Sequence, residues 1–130
     1  MTIAPPPMPP RLLVQSTYVT EEGEQSGWRI WEDGRHESRR AGAPWEPVST
    51  LDAEHLASIR AALDGGGLEQ MAGVHRSGGD SREGATLWFQ ALSGGRPQTV
   101  TLVGGARLDA LDALTAKLVA ALAGPDFPFP

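Results

Sequence analysis

Trp28-Arg29-Ile30-Trp31-Glu32-Asp33-Gly34-Arg35-His36-Glu37-Ser38-Arg39-Arg40 is the stretch that decides the fold. Trp28 to Trp31 alternate as a strand does, and Asp-Gly after such a run is a strong hairpin signal. Gly34 can supply the positive φ of a turn closed by a bulge. That register sets Ile30 opposite His36 and Trp31 opposite Arg35. Trp28 and Ile30 then share one face of the strand, and Trp31 points to the other. The return strand, Arg35 to Arg40, is polar on both faces and reads as an edge strand guarded by charge.

Outward from the hairpin, Leu12 to Thr20 is rich in β-formers and reads as a first strand. Gly42 to Pro47, with Pro44 and Pro47, reads as a loop. A helix opens near Asp52, an N-cap whose charge suits the positive end of the helix dipole. Leu51 and Leu56 occupy the positions of a hydrophobic staple. Leu56, Ile59 and Leu63 make one apolar face, and Gly65-Gly66-Gly67 ends the helix with a left-handed cap. Residues 69–84 read as a polar loop. Thr86 to Leu92 and Gln98 to Val103 form a second hairpin around Gly94-Gly95. A last helix, Asp109 to Leu122, carries Leu111, Leu114, Leu118 and Leu122.

The halves resemble each other: Leu51-Asp52-Ala53 and Leu108-Asp109-Ala110 open the two helices 57 residues apart. A hairpin cannot cover its own apolar face and needs a helix over it. The expected fold is therefore α+β, with a single antiparallel sheet from two hairpin-helix (ββα) units, both helices on one face, and an added N-terminal strand. The expected core is Ile30, Leu56, Ile59, Leu63, Phe89, Leu102, Leu111, Leu114 and Leu118. Residues 1–10, with five prolines, read as a polyproline arm, 11–123 as one domain, and 124–130 as a proline- and phenylalanine-bearing tail.

Composition narrows the function classes. A chain of 130 residues with 40% hydrophobic content supports a core without staples. The absence of cysteine rules out disulfides and thiolate metal sites. Ten of the eleven basic residues are Arg, which with abundant Ala and Gly reads as the mark of a GC-rich bacterial genome. A net charge of −5 argues against nucleic acid and against anionic membrane surfaces as partners. No stretch approaches the roughly 18 apolar residues of a membrane span, and Met1 to Pro10 lacks the features of a signal peptide, so a cytoplasmic location is expected.

No catalytic constellation is visible, and no cofactor or metal is expected. His36, His55 and His75 fall in three different elements without metal-ligand spacing. His36 reads as a half-buried packing residue and His55 as a solvated helix residue. His75 sits in the 69–84 loop with Arg76, Asp80, Arg82 and Glu83. Gly104-Gly105 precedes a helix with Arg107 nearby, where a backbone nest could hold an anion, although a plain strand-to-helix turn explains it as well.

The tryptophans say more. Trp28, Trp31, Trp45 and Trp88 are many for a chain with three Phe and one Tyr. If helices cover the Trp28 face, Trp31 stands on the open face with Arg29, Arg35 and Arg39. Trp with Arg is the composition of interface hot spots, and equally that of a cation–π ladder on a solvated sheet. Trp31, Arg29 and Arg35 are the candidate contact residues. The function read from this is a non-catalytic protein-binding or adaptor module, an inhibitor of another protein included, whose partner is another protein or a second copy. The alternative is a small ligand-binding protein or enzyme using the 69–84 loop and the Gly104-Gly105 turn.

The succession of hairpin, Leu51, Leu56, Ile59, Leu63 and Leu68, a second hairpin with Thr99-Val100-Thr101, and a final helix resembles small bacterial hairpin-plus-helix repeat domains of unknown function. More loosely, it is similar to the emfourin-like inhibitors of thermolysin-type metallopeptidases. The likeness spans roughly residues 28–122 and implies an α+β fold and a role in binding another protein. The Gly-Gly-Phe-like segment near the N-terminus of those inhibitors is absent, and no site residue carries over.

Overall fold

A computed structural model of the chain describes residues 5–76 and 85–123. The chain begins with four successive antiparallel strands: β1 (Leu12–Val19), β2 (Gln25–Trp31), β3 (Arg35–Arg39) and β4 (Glu46–Thr50). Two helices follow, α1 (Ala53–Asp64) and α2 (Leu68–Met71), and then a short strand, β5 (Gly73–Arg76). The hairpin β6 (Thr86–Ser93) and β7 (Arg96–Val103) leads into α3 (Asp109–Ala123). The strands form one sheet in the order β4-β3-β2-β1-β6-β7-β5.

The decisive hairpin forms in the expected register, with Ile30 opposite His36 and Arg29 opposite Glu37. Gly34 has φ 97°, and a Cβ there would lie 2.5 Å from the Leu51 carbonyl oxygen, so the turn requires glycine. Asp52 caps α1 as expected: its Oδ1 accepts the His55 backbone N–H at 2.9 Å. The His55 ring nitrogen Nδ1 lies 2.6 Å from the same oxygen, and these contacts lower the Asp52 pKa.

Several expectations are corrected. The sheet is mixed, because β5 runs parallel to β7 at one edge. The two-unit ββα scheme does not describe the chain, since β4 separates the first hairpin from α1, and α2 and β5 separate α1 from the second. And β3 is not an edge, because β4 pairs along it. Pro47 hid β4 by suggesting a loop. A strand tolerates proline at an edge or a bulge, and β4 is both, its register shifting opposite His36 and Glu37. The 69–84 loop likewise contains the end of α2 and all of β5, and residues 77–84 lie outside the described residues. Of the three glycines after α1, Gly65 caps it at φ −93° and Gly67 is left-handed at φ 73°.

Both long helices lie on one face, as expected. α1 packs on α3 and over β6, and α2 packs over β7. The buried cluster joins Val14, Ile30, Phe89, Val100 and Leu102 of the sheet to Ile59, Leu63, Leu68, Leu114 and Leu118 of the helices. Every expected core residue is buried except Leu56, which is partly so. The opposite face is built differently. Its paired rows across β3, β2, β1, β6 and β7 read Glu37–Arg29–Gln15–Gln90–Thr99 and Arg39–Gly27–Thr17–Trp88–Thr101. At Gly27 an added Cβ would meet the Ser16 carbonyl oxygen at 2.0 Å, so the second row admits no side chain there.

Candidate functional site

Alternation puts Arg29 and Trp31 of β2 on the face away from the helices, while Trp28 turns inward. Trp28 meets Phe89 edge-to-face, with ring centroids 6.4 Å apart at 75°. On the outer side, guanidinium groups and indole rings alternate. The Arg29 Cζ lies 4.9 Å from the Trp31 ring centroid and 4.1 Å from that of Trp45. The Arg35 Cζ lies 4.8 Å from Trp31, and the Arg39 Cζ lies 5.2 Å from Trp45. The stack therefore runs Arg39–Trp45–Arg29–Trp31–Arg35, with each cation over the negative face of an aromatic ring.

Glu37 ties the middle of this ladder. Its Oε1 accepts the Arg29 Nε–H at 2.7 Å and the Trp31 indole N–H at 2.6 Å. The Trp31 hydrogen bond, followed by the Arg29 guanidinium, holds the Glu37 carboxyl below its ordinary range. Arg29 and Glu37 are the sheltered part, with side chains 18% and 17% exposed. Arg35 is the open end at 56% exposed, held by a 2.9 Å ion pair from its Nε to Asp33 Oδ2. Arg39 donates to the Gln25 side chain at 3.1 Å. Trp31 is half-buried.

The three residues singled out from sequence, Trp31, Arg29 and Arg35, thus come together, with Arg39 beside them. Two participants were missed. Glu37 was readable, because the register that pairs Ile30 with His36 pairs Arg29 with Glu37. Trp45 was not, because it lies outside any strand and reaches the ladder only through β4. Chemically the arrangement is a stack of indole rings and guanidinium groups held against one another, with Arg35 at its open end.

The elements of the alternative reading also meet. A cleft of about 530 Å³ is lined by Val74, His75 and Arg76 of β5 and by Gly105 to Leu108 ahead of α3. Neither basic group on its rim is idle: Arg107 Nη2 donates to Asp112 at 2.9 Å, and Arg76 has its own interactions. His75 Nε2 lies 2.7 Å from the Met71 carbonyl oxygen. His36 sits half-buried on the helix side of β3, where burial lowers its pKa. Among the described residues, no three His, Asp or Glu side chains gather as metal ligands, and no helix is long and apolar enough to cross a membrane. No protein-family model matches the chain, and no curated protein sequence does.

Proposed function

We propose that the chain is a non-catalytic protein-binding module, acting as an adaptor or an inhibitor, whose contact surface is the open sheet face around Trp31, Arg29 and Arg35. The carrying observation is the ladder itself. Five large side chains are held in one continuous stack by four cation–π contacts and the Glu37 hydrogen bonds. A surface already rigid loses little side-chain entropy when a partner covers it, and Trp and Arg are the side chains that most often anchor interfaces. The partner is another protein or a second copy of the chain.

The test is photo-crosslinking from two positions. Pro47 is exposed, on the ladder face opposite Glu37, and Ala120 is exposed on α3. A photo-reactive residue at 47 should give a discrete adduct in cells of the source organism, and one at 120 should not. Equal adduct patterns from both positions would reject the surface. The 530 Å³ cleft favours the second reading, a small-ligand site. There, Arg107→Ala should weaken ligand binding while leaving the adduct from position 47 intact.

A further inference from the structure

The N-terminal proline arm doubles back onto the sheet. Leu12 N donates to the Pro9 carbonyl at 3.3 Å, closing a turn over Pro9-Pro10-Arg11-Leu12. Arg11 has φ 68° and is the single non-glycine residue with positive φ among the described residues. Proline followed by a left-handed residue is the pattern of a type II turn, in which glycine is the favoured third residue. An arginine is held there only where the surroundings fix it. The Arg11 carbonyl accepts the Glu32 backbone N–H at 2.8 Å, and further up the arm Gln90 Nε2, 84 positions after Pro6, donates a 2.6 Å hydrogen bond to the Pro6 carbonyl.

Gln90 belongs to the sheet face away from the helices, and it is 1% exposed. Beside it are Trp88, two residues along the same strand, and Thr17, the cross-strand partner of Trp88. Both are 3% exposed. Thr17 Oγ1, Trp88 Nε1 and Gln90 Oε1 have no hydrogen-bond partner among the described residues. Buried polar atoms without partners are rare and call for an explanation. Proline supplies one for Gln90 Oε1: an occupant made of Pro5, Pro6, Pro7, Pro9 and Pro10 has almost no N–H to donate.

The other two atoms are donors, and a polyproline chain is a row of unpaired carbonyls. Two residues of such a chain span about 6 Å, and Gln90 and Trp88 stand about 7 Å apart along their strand. The arm as seated gives its Pro6 carbonyl to Gln90 and leaves the Trp88 indole N–H without a partner, so a proline segment that also places a carbonyl on that indole would make a hydrogen bond the arm does not. Aromatic donors that grip proline carbonyls in an extended chain are a recurrent mode of peptide recognition.

We propose that Gln90, Trp88 and Thr17 form a polyproline-binding strip, that residues 5–10 occupy it as a tethered ligand, and that a proline-rich segment of another chain competes for it. The proposal is independent of the Trp31 ladder.

The test uses the full chain with residues 5–10 replaced by a glycine-serine run of equal length. The probe is a fluorescein-labelled Pro-Pro-Pro-Met-Pro-Pro peptide followed by polarisation. A tethered arm competes at an effective concentration on the order of millimolar, so the replaced chain should bind the probe at least tenfold more tightly than the intact one. Gln90→Leu in the replaced chain should weaken binding at least tenfold. Equal binding by intact and replaced chains, no binding by the folded replaced chain, or indifference to Gln90→Leu would overturn the proposal. If the replaced chain does not fold, the intact chain decides. The Trp88 indole N–H cross-peak, assigned through Trp88→Phe, should move when the peptide is added at millimolar concentration. A cross-peak that stays in place overturns the proposal.

Discussion

The two faces of the sheet are made of the same strands and obey different rules. On one face, Val14, Ile30, Phe89 and Val100 meet Ile59, Leu63, Leu114 and Leu118, and transfer out of water explains the arrangement. On the other, the row Glu37–Arg29–Gln15–Gln90–Thr99 crosses five strands without one aliphatic side chain. At one end Glu37 and Arg29 are held by a hydrogen bond and cation–π contacts, and Gln90 holds the Pro6 carbonyl, interactions that contribute little to stability apiece and much to geometry. One face carries the main core, and the other sets polar and cationic side chains beside the buried Trp88, Val19 and Val103. The tryptophans differ: Trp28 packs on Phe89, Trp31 stacks between two arginines, and Trp88 is buried on the side away from the helices.

Substitutions on the helix face should have the largest effect. Leu63→Ala and Leu118→Ala, both at fully buried positions, should each cost about 2–5 kcal/mol in denaturant unfolding. Losses below roughly 1 kcal/mol at both would break the comparison, since the helices would not be the cover they are taken for. Next comes Gly27→Ala in the polar row. A methyl placed 2.0 Å from the Ser16 carbonyl must push β1 and β2 apart, so about 1–3 kcal/mol should be lost in the same assay. A neutral result would show that the open face yields where the structure makes it tight.

These positions also show what was legible beforehand. Asp33-Gly34, the Asp52 cap and the two leucine-bearing helices were readable because each is specified by residues a few positions apart. So were the opposite senses of Trp28 and Trp31, which follow from alternation alone. β4 and β5 were not. One contains Pro47 and pairs with β3 through a bulge, and the other begins at Gly73 and is a strand only because the distant β7 offers it an edge. The ladder was half readable because β4 was not. Arg29, Trp31, Arg35 and Glu37 belong to one local hairpin, whereas Trp45 arrives through β4. The arm's contact with Gln90 links residues 84 positions apart and leaves no local trace.

A smaller effect sharpens the electrostatic side of the comparison. The Glu37 pKa is depressed in the folded state, so its stabilising share is present above the unfolded carboxyl value of about 4.3. That share should fade as the pH falls through the lower folded value. Glu37→Gln should therefore flatten the pH dependence of unfolding between about pH 5 and pH 3. It should also loosen the Trp31 indole, visible as faster exchange of its N–H. An unchanged pH profile would mean that Glu37 does not tie the ladder.

The smallest stability effect belongs to the residue with the largest proposed role. Trp31→Ala removes two cation–π contacts and one hydrogen bond from a half-buried site, so stability should fall by about 1 kcal/mol. In the same protein, association through the ladder face should weaken by about 2 kcal/mol or more, roughly thirtyfold in Kd. The direct test is to measure both quantities on Trp31→Ala: its unfolding free energy, and its affinity for the species crosslinked from position 47. A folded variant with a small loss of stability and at least a tenfold loss of affinity is the predicted result. A variant that unfolds, or one that stays folded and binds as tightly as the parent, would contradict the division of the sheet into a packing face and a contact face.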